Sequence, residues 1–362
     1  MRFRVRAFPS RPSASRPSTS PDETSGSSRS PRSARSPRAL VAVSLALGAL
    51  TAGAVPGALG PAVAASASHP LMFGAAASSR SDVEAHERVL GKRLNGLRVY
   101  KKWDGELFGR SQTWARDTGH TLFVSIRAEH ANGSPVKFAD ISNAKPGSRL
   151  YADMQRQARQ IKAFGAKVYI AFNHEPEARA SWGMGNGPQF VAAWRKLVSV
   201  YRAEGVTNAE YVFAGTAYGF VRKDDRRVAL YYPGDAWVDH IAADGYNWYR
   251  CRQNTVGWTD LARVIEGQRQ FGLQHPDEGL MLWEFGSAED RGQPGRKAQW
   301  LRNVTQLFQQ PGWGQYNTVL TWEGRNYEAG DKCGFDYTSS SSAKQAWVDM
   351  GHNPAFSATR VN

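Results

Sequence analysis

Cysteine is scarce in this chain: 362 residues carry two, Cys251 and Cys333. That is too few for a small disulfide scaffold, and no group of Cys and His has zinc-ligand spacing. A G-x-G-x-x-G turn is also missing. The first apolar run of the second segment leads instead into Phe73-Gly74-Ala75-Ala76-Ala77-Ser78-Ser79, and no Walker sequence occurs elsewhere. Both absences argue against an open nucleotide-binding sheet. The apolar stretch from Ala39 to about Leu50 is too short and too rich in Gly and Ala for a stable membrane span. No adjacent Arg-Arg pair precedes it, which favours a general secretory route over the twin-arginine route.

What is present falls into two segments. Residues from about 9 to 38 are mostly Ser, Pro and Arg, which bury too little to offset ordering entropy. The apolar stretch follows, with Arg35 and Arg38 before it and Ala62-Val63-Ala64 and Ala65-Ser66-Ala67 after it. A basic flank, an apolar core and an A-x-A exit predict a secretory signal peptide cleaved near Ala64 to Ala67. The expected organisation is therefore 1–67 as basic leader and 68–362 as one domain, secreted and free of the membrane after cleavage. Residues 1–65 hold nine Arg, no Lys and two acids, so +7 of the chain's +14 belongs to the leader. The remaining basic pairs, such as Arg222-Lys223 and Arg226-Arg227, are scattered as on a solvated face, and no nucleic-acid partner is expected.

From residue 70 onward short apolar runs alternate with amphipathic stretches. Strands are predicted at 70–76, 97–103, 121–127, 167–173, 209–215, 239–246, 279–284 and 316–322. Most are continuous apolar runs, as a buried parallel sheet requires. Helical periodicity marks Tyr151 to Phe164, Gln189 to Ala203, Asp260 to Phe271 and Arg296 to Phe308. Gly165, Gly205 and Gly272 are placed as left-handed helix ends, and the Ser339 to Ser342 run offers N-caps for a last helix. Eight β–α units in about 290 residues predict an α/β (β/α)8 TIM barrel.

Two glutamates then acquire addresses. Glu175 follows strand four and Glu284 ends strand seven, so both open onto the C-terminal face, where barrel active sites lie. An unpaired carboxylate at a buried strand end is costly, so two of them suggest acid/base or nucleophilic chemistry on one bond. The segment His174-Glu175 with Trp182 and Phe190-Val191-Ala192-Ala193-Trp194-Arg195 after it, together with Trp283-Glu284-Phe285-Gly286, resembles glycoside hydrolase family 26. The likeness spans about residues 70 to 350.

This resemblance implies a retaining mechanism without metal or organic cofactor. Glu175 would be the acid/base and Glu284 the nucleophile. Tyr246 would hydrogen-bond the nucleophile, and Trp322 would floor a sugar subsite. The flanks differ from the mannanase pattern: Phe172-Asn173 stand where Arg and Pro are common, and Pro176-Glu177 where Met-Asn-Gly is common. The expected activity is endo-hydrolysis of a β-linked polysaccharide by a monomer, with β-1,4-mannan first. β-1,3-Xylan, β-glucan or an anionic wall glycan are alternatives within the class, and a non-catalytic glycan-binding barrel lies outside it.

Other residues stay open between two roles. His174 either contacts substrate or the acid, or satisfies a backbone carbonyl. Trp103, Trp182 and Trp248 follow strands two, four and six, as subsite floor or loop core. Arg127, Glu129 and Asp104 sit on exits, as ligand contacts or mutual ion pairs. Glu177 reads as loop. Cys251 and Cys333 follow strands six and eight, where a disulfide would arch past strand seven. Alkylation with and without reductant, followed by peptide mass spectrometry, is expected to label both thiols only after reduction; labelling of both beforehand would exclude the bridge.

Overall fold

A sheet whose strands are apolar on both faces must be covered on both, and this chain achieves that by closing the sheet on itself. The computed structural model describes residues 69–251, 256–323 and 334–361. Among them are strands β1 Met72–Ala76, β2 Gly96–Lys102, β3 Thr121–Arg127, β4 Val168–Phe172, β5 Ala209–Thr216, β6 His240–Asn247, β7 Gly279–Ser287 and β8 Tyr316–Thr321. Each pairs in parallel with the next, and β8 returns to β1, closing the barrel. The outer ring is α1 Arg80–Leu90, α2 Arg110–Asp117, α3 Phe138–Asn143, α4 Arg149–Phe164, α5 Gly187–Ala203, α6 Leu261–Gly272, α7 Arg296–Leu307 and α8 Ser341–His352. No helix among the described residues is long and apolar enough to cross a membrane.

Side-chain alternation divides the apolar residues into two layers. Met72, Phe123, Tyr169, Ala171, Val212, Ala242, Met281, Trp283 and Leu320 fill the barrel interior. Their sequence neighbours, among them Leu122, Ile170, Phe213, Ile241 and Leu282, face the helices. Period two thus sends every other strand residue inward.

The structure departs from the sequence expectations at particular points. α1, α2 and α3 had no predicted counterpart. Gly165 and Gly205 do adopt left-handed φ of 77° and 76°, but Gly272 is the last residue of α6. Its lack of a side chain serves packing, since a Cβ there would lie 2.8 Å from Leu280 and 2.9 Å from Gln315. β7 runs three residues beyond its predicted end, paired with β6 as far as Ser287, and it carries a bulge. Ala243 pairs with Leu282 and the next β6 residue, Asp244, pairs with Glu284, so Trp283 is the extra residue. β8 registers the same irregularity between Leu282 and Phe285.

The tightest backbone approach is between β1 and β2, where a Cβ on Gly74 would lie 2.1 Å from the Gly96 carbonyl oxygen and 2.6 Å from Leu320. Gly74→Ala is expected to destabilise the fold by roughly 1–3 kcal/mol through overpacking. Thermal unfolding followed by circular dichroism measures it, and an unchanged melting temperature would contradict the packing described.

Candidate active site

The β7 bulge explains why Glu284 points inward. In a regular strand, inward Trp283 would put Glu284 outside among the helices. The extra residue lets both face the interior while Phe285 returns to the outer layer, where it stacks on Trp300 at 6.2 Å. Gly286 then leaves room for Phe335, whose Cβ would be only 3.0 Å from a Cβ on the glycine. Each residue of the Trp283-Glu284-Phe285-Gly286 segment therefore has a separate physical task.

Glu284 is 7 % exposed and densely bonded. Its Oε1 accepts from Arg98 Nη2 at 3.0 Å and Tyr100 OH at 2.6 Å, and its Oε2 accepts from Tyr246 OH at 2.5 Å. Burial alone would raise its pKa. Arg98, with the two phenol hydrogen bonds, outweighs burial and holds the carboxyl below the usual range. Tyr100 keeps 39 % of its surface exposed while donating inward, so this carboxylate lies next to solvent at the mouth.

Arg98 supplies the cation. It is fully enclosed, at the inward parity of β2 between outward Leu97 and Val99. Its guanidinium lies 4.4 Å from the Trp283 ring centroid and 4.8 Å from that of Tyr100. Nη1 donates to Ser125 Oγ at 3.0 Å, and Nη2 sits 3.7 Å from Asp244. Asp244 has no hydrogen-bond partner on either carboxylate oxygen. Burial, then the charge of Glu284, drive its pKa well up despite Arg98, and Glu175 and Glu177 add to the effect. Asp244 is thus within electrostatic reach of both glutamates singled out in the sequence.

Glu175 reaches the mouth through an irregular exit from β4. Asn173 and Glu175 both have left-handed φ, 45° and 51°. Such non-glycine residues cost about 1–3 kcal/mol each unless their surroundings fix them. Here Asn173 Oδ1 accepts from Ala128 N at 3.1 Å, and its Nδ2 donates to Ser181 Oγ at 3.0 Å. Ser181 in turn donates to the Glu175 carbonyl, and Glu175 N donates to the Ala214 carbonyl at 2.7 Å. His174, between the two, packs against Tyr100 with ring centroids 5.5 Å apart. Burial, with Arg98 beside it, pushes its pKa down to about 3, so the imidazole is neutral, and its Nδ1 is buried without a hydrogen-bond partner.

The remaining expected residues divide. Tyr246, Trp248 and Trp322 gather into one cluster with Phe335: Tyr246 lies 5.2 Å from Trp248 and 5.7 Å from Trp322, and Phe335 lies 4.6 Å from Tyr246. Trp182 stands apart, 53 % exposed, with Arg226 5.2 Å above its ring. Trp103 is a correction. It is fully buried in the outer layer, packs edge-on to Phe172 and donates Nε1 to Asp153 at 3.1 Å, so it cannot floor a subsite. Arg127 donates to Glu129 and to the Ala180 carbonyl, and Asp104 pairs with His130, so these rim charges bind one another. Glu177 lies in the turn after β4, as its loop reading expected, but it is buried there, and Oε1 accepts from Thr216 N and Oγ1, both at 2.7 Å. Cys251 is buried beside this aromatic cluster, and Cys333 lies outside the described residues.

Arg98, Tyr100, Asp244 and Phe335 were not singled out from sequence. An arginine at the inward parity of an apolar strand was the available signal for the first. His174, Asp244 and Glu284 offer ligand atoms within 4.8 Å of one another. Arg98 already supplies a positive charge between the two carboxylates, which disfavours a cation there.

No protein-family model matches the chain. A curated relative, Endoglucanase H of Acetivibrio thermocellus, is 25% identical over 269 residues, covering 69% of this chain and 27% of that protein. The chain therefore spans about a quarter of that relative's length. Among solved structures, a family 26 endo-β-1,4-mannanase catalytic domain of Bacillus sp. JAMB-750 superposes with TM-score 0.57 at 13% identity, covering 79% of this chain and 86% of that one. The family 26 domain of a Prevotella bryantii endo-β-mannanase/endo-β-glucanase gives 0.55 at 13%, covering 79% and 90%. A modular Cellulomonas fimi endo-β-1,4-mannanase gives 0.56 at 17%, covering 81% and 75%. The resemblance stated from the two glutamate segments therefore holds for the fold.

Removing Arg98 leaves two buried carboxyls without their cation. Arg98→Met is expected to cost roughly 3–5 kcal/mol at pH 7. The cost should shrink toward pH 4. Without the guanidinium the folded-state carboxyl pKa values lie above their unfolded values, so the penalty grows as pH rises. Urea unfolding at the two pH values measures this, and an equal cost at both would contradict it.

Proposed function

We propose that this chain is an endo-acting retaining glycoside hydrolase on a β-linked polysaccharide, with Glu284 as nucleophile and Glu175 as acid/base. The observation that carries the reading is the state of Glu284. It is a carboxylate at the barrel mouth, held ionised by Arg98, Tyr100 and Tyr246. A group bonded in this way is a poor proton donor at neutral pH and a good nucleophile. In support, Glu175 follows β4, whose C-terminal end opens onto the same mouth, and its charge acts on Asp244.

In the first step a Glu284 oxygen bonds to the anomeric carbon, the glycosidic C–O bond breaks, and the proton of Glu175 goes to the leaving oxygen. In the second, Glu175 takes a proton from water, whose oxygen bonds to the anomeric carbon and releases Glu284. Tyr100 and Tyr246 lose part of their hydrogen bonding when Glu284 becomes an ester and regain it on release. Neutral His174 is placed to accept from or donate to a sugar hydroxyl. Half-buried Trp322 and Trp248 suit stacking against a sugar ring.

β-1,4-Mannan is the first substrate, supported by the family 26 mannanase folds. β-Glucan is the second reading, favoured by one observation: the curated relative, named an endoglucanase, is more similar in sequence than the mannanase structures.

Proton NMR of the first products released from mannan and mixed-linkage β-glucan oligosaccharides tests both points. Retention predicts that the β-anomer appears before mutarotation, and an initial α-anomer would overturn the mechanism. Glu175→Ala is expected to lower kcat by roughly 10²–10⁴-fold. Glu284→Ala is expected to abolish turnover with the circular dichroism spectrum unchanged, and near-normal activity of either variant would refute its role.

A further inference from the structure

The N-terminal face of the barrel carries a second group of ionisable side chains, far in the fold from the strand ends that form the mouth. Asp235 lies in the short turn before β6, and His275 and Glu278 lie in the loop between α6 and β7. One imidazole nitrogen and one oxygen of each carboxylate fall within 4.8 Å of one another. Asp235 Oδ1 is 2.8 Å from His275 Nδ1. Glu278 is 5 % exposed, and its Oε2 is buried with no hydrogen-bond partner. A carboxylate oxygen left bare in a buried position is costly unless something supplies positive charge or a proton.

The surroundings are rigid on one side and free on the other. Gln315 Nε2 lies 3.0, 3.0 and 2.8 Å from the carbonyl oxygens of Gly272, His275 and Glu278 and shares its two hydrogens among them, which fixes the loop that presents two of the three groups. The His275 ring is packed between Tyr232 and Phe271, with centroids 4.6 and 4.5 Å away. Tyr232 OH donates to Asp235 Oδ1 at 2.9 Å, orienting that carboxylate from outside. The Asp235 side chain is about half exposed, so it can adjust while His275 and Glu278 stay in place.

We propose that Asp235, His275 and Glu278 form a binding site for one divalent transition-metal ion, Zn²⁺ first, on the barrel face opposite the mouth. One imidazole and two carboxylates make a nitrogen–oxygen donor set that zinc accepts at about 2.0–2.2 Å. All-oxygen ions such as Ca²⁺ prefer six to eight oxygens. Ligand atoms on a zinc centre stand about 3.3 Å apart, so binding draws the three groups together, chiefly by movement of Asp235. On binding, the proton shared between His275 Nδ1 and Asp235 leaves to solvent, and the cation takes its place against both carboxylates. The role is structural: the ion would tie the turn before β6 to the loop before β7, at the end of the barrel where stability and not chemistry is built.

Isothermal titration of the chain with ZnCl₂, alongside Glu278→Gln and His275→Ala, tests the site. The wild type is expected to bind one Zn²⁺ per chain with a rise in melting temperature that EDTA reverses. Both variants, checked as folded by circular dichroism, are expected to lose affinity by roughly 10–100-fold or more. Because the three groups lie away from the mouth, any polysaccharide hydrolysis should be unchanged in both variants. Absence of saturable binding in the wild type overturns the proposal. So does undiminished binding in either variant, which would place the ion elsewhere.

Discussion

The buried guanidinium of Arg98 is the constraint on which the mouth of this barrel depends. It touches no solvent, yet it lies 3.0 Å from Glu284 and 3.7 Å from Asp244. At that distance the attraction to one carboxylate is of order 5 kcal/mol for an effective dielectric near 20. Desolvating each ion costs several kcal/mol, so such a group adds little net stability compared with a hydrophobic filler. What it does add is control of charge at one position. The aromatic faces of Trp283 and Tyr100 flank the cation, and Ser125 fixes one nitrogen, so the guanidinium cannot turn away from Glu284.

Two backbone irregularities shape the mouth around that charge. The bulge at Trp283 converts an outward position into an inward one for Glu284 and places Asp244 opposite it in the ladder. The left-handed residues Asn173 and Glu175 turn the chain sharply off β4. Neither irregularity is stable by local preference, and each is held by contacts made elsewhere. Trp283 is wedged in the barrel interior against Phe123 at 6.0 Å, and Asn173 is pinned from two directions by Ala128 and Ser181. A regular β7 would carry Glu284 to the outer layer, so these departures from ideal geometry fall at the mouth of the barrel.

That pattern explains what was legible in the sequence. The barrel could be read because its strands are apolar on both faces and its helices carry a 3.6-residue stripe, signals that survive without tertiary context. The addresses of Glu175 and Glu284 followed from counting units. The bulge was not legible, since nothing in Leu282-Trp283-Glu284-Phe285 distinguishes a regular strand from one with an extra residue. Trp103 was misplaced for a related reason: a tryptophan at a strand exit lines the mouth or the outer layer according to its parity and the helix behind it. Here Phe172 and Asp153 enclose it. Arg98 could have been found by parity alone, as the charged inward residue between outward Leu97 and Val99. Glu177 could not, because its burial depends on Thr216, 39 residues on.

Asp244 and Glu284 show how one apolar cavity gives two carboxyls opposite character. Both are buried beside the same guanidinium, so burial and the cation do not separate them. Donor count does. Glu284 accepts from Arg98, Tyr100 and Tyr246, whereas Asp244 has no hydrogen bond on either oxygen and faces a guanidinium nitrogen only at 3.7 Å. Hydrogen bonds to the ionised form lower a pKa, and their lack leaves burial unopposed. With one cation beside two acids, the group with fewer donors has the raised pKa and Glu284 the lowered one. Neutral His174 adds no second cation to disturb that balance. The division persists while Asp244 stays enclosed, at 3 % exposure, because burial is the largest cause of its raised pKa.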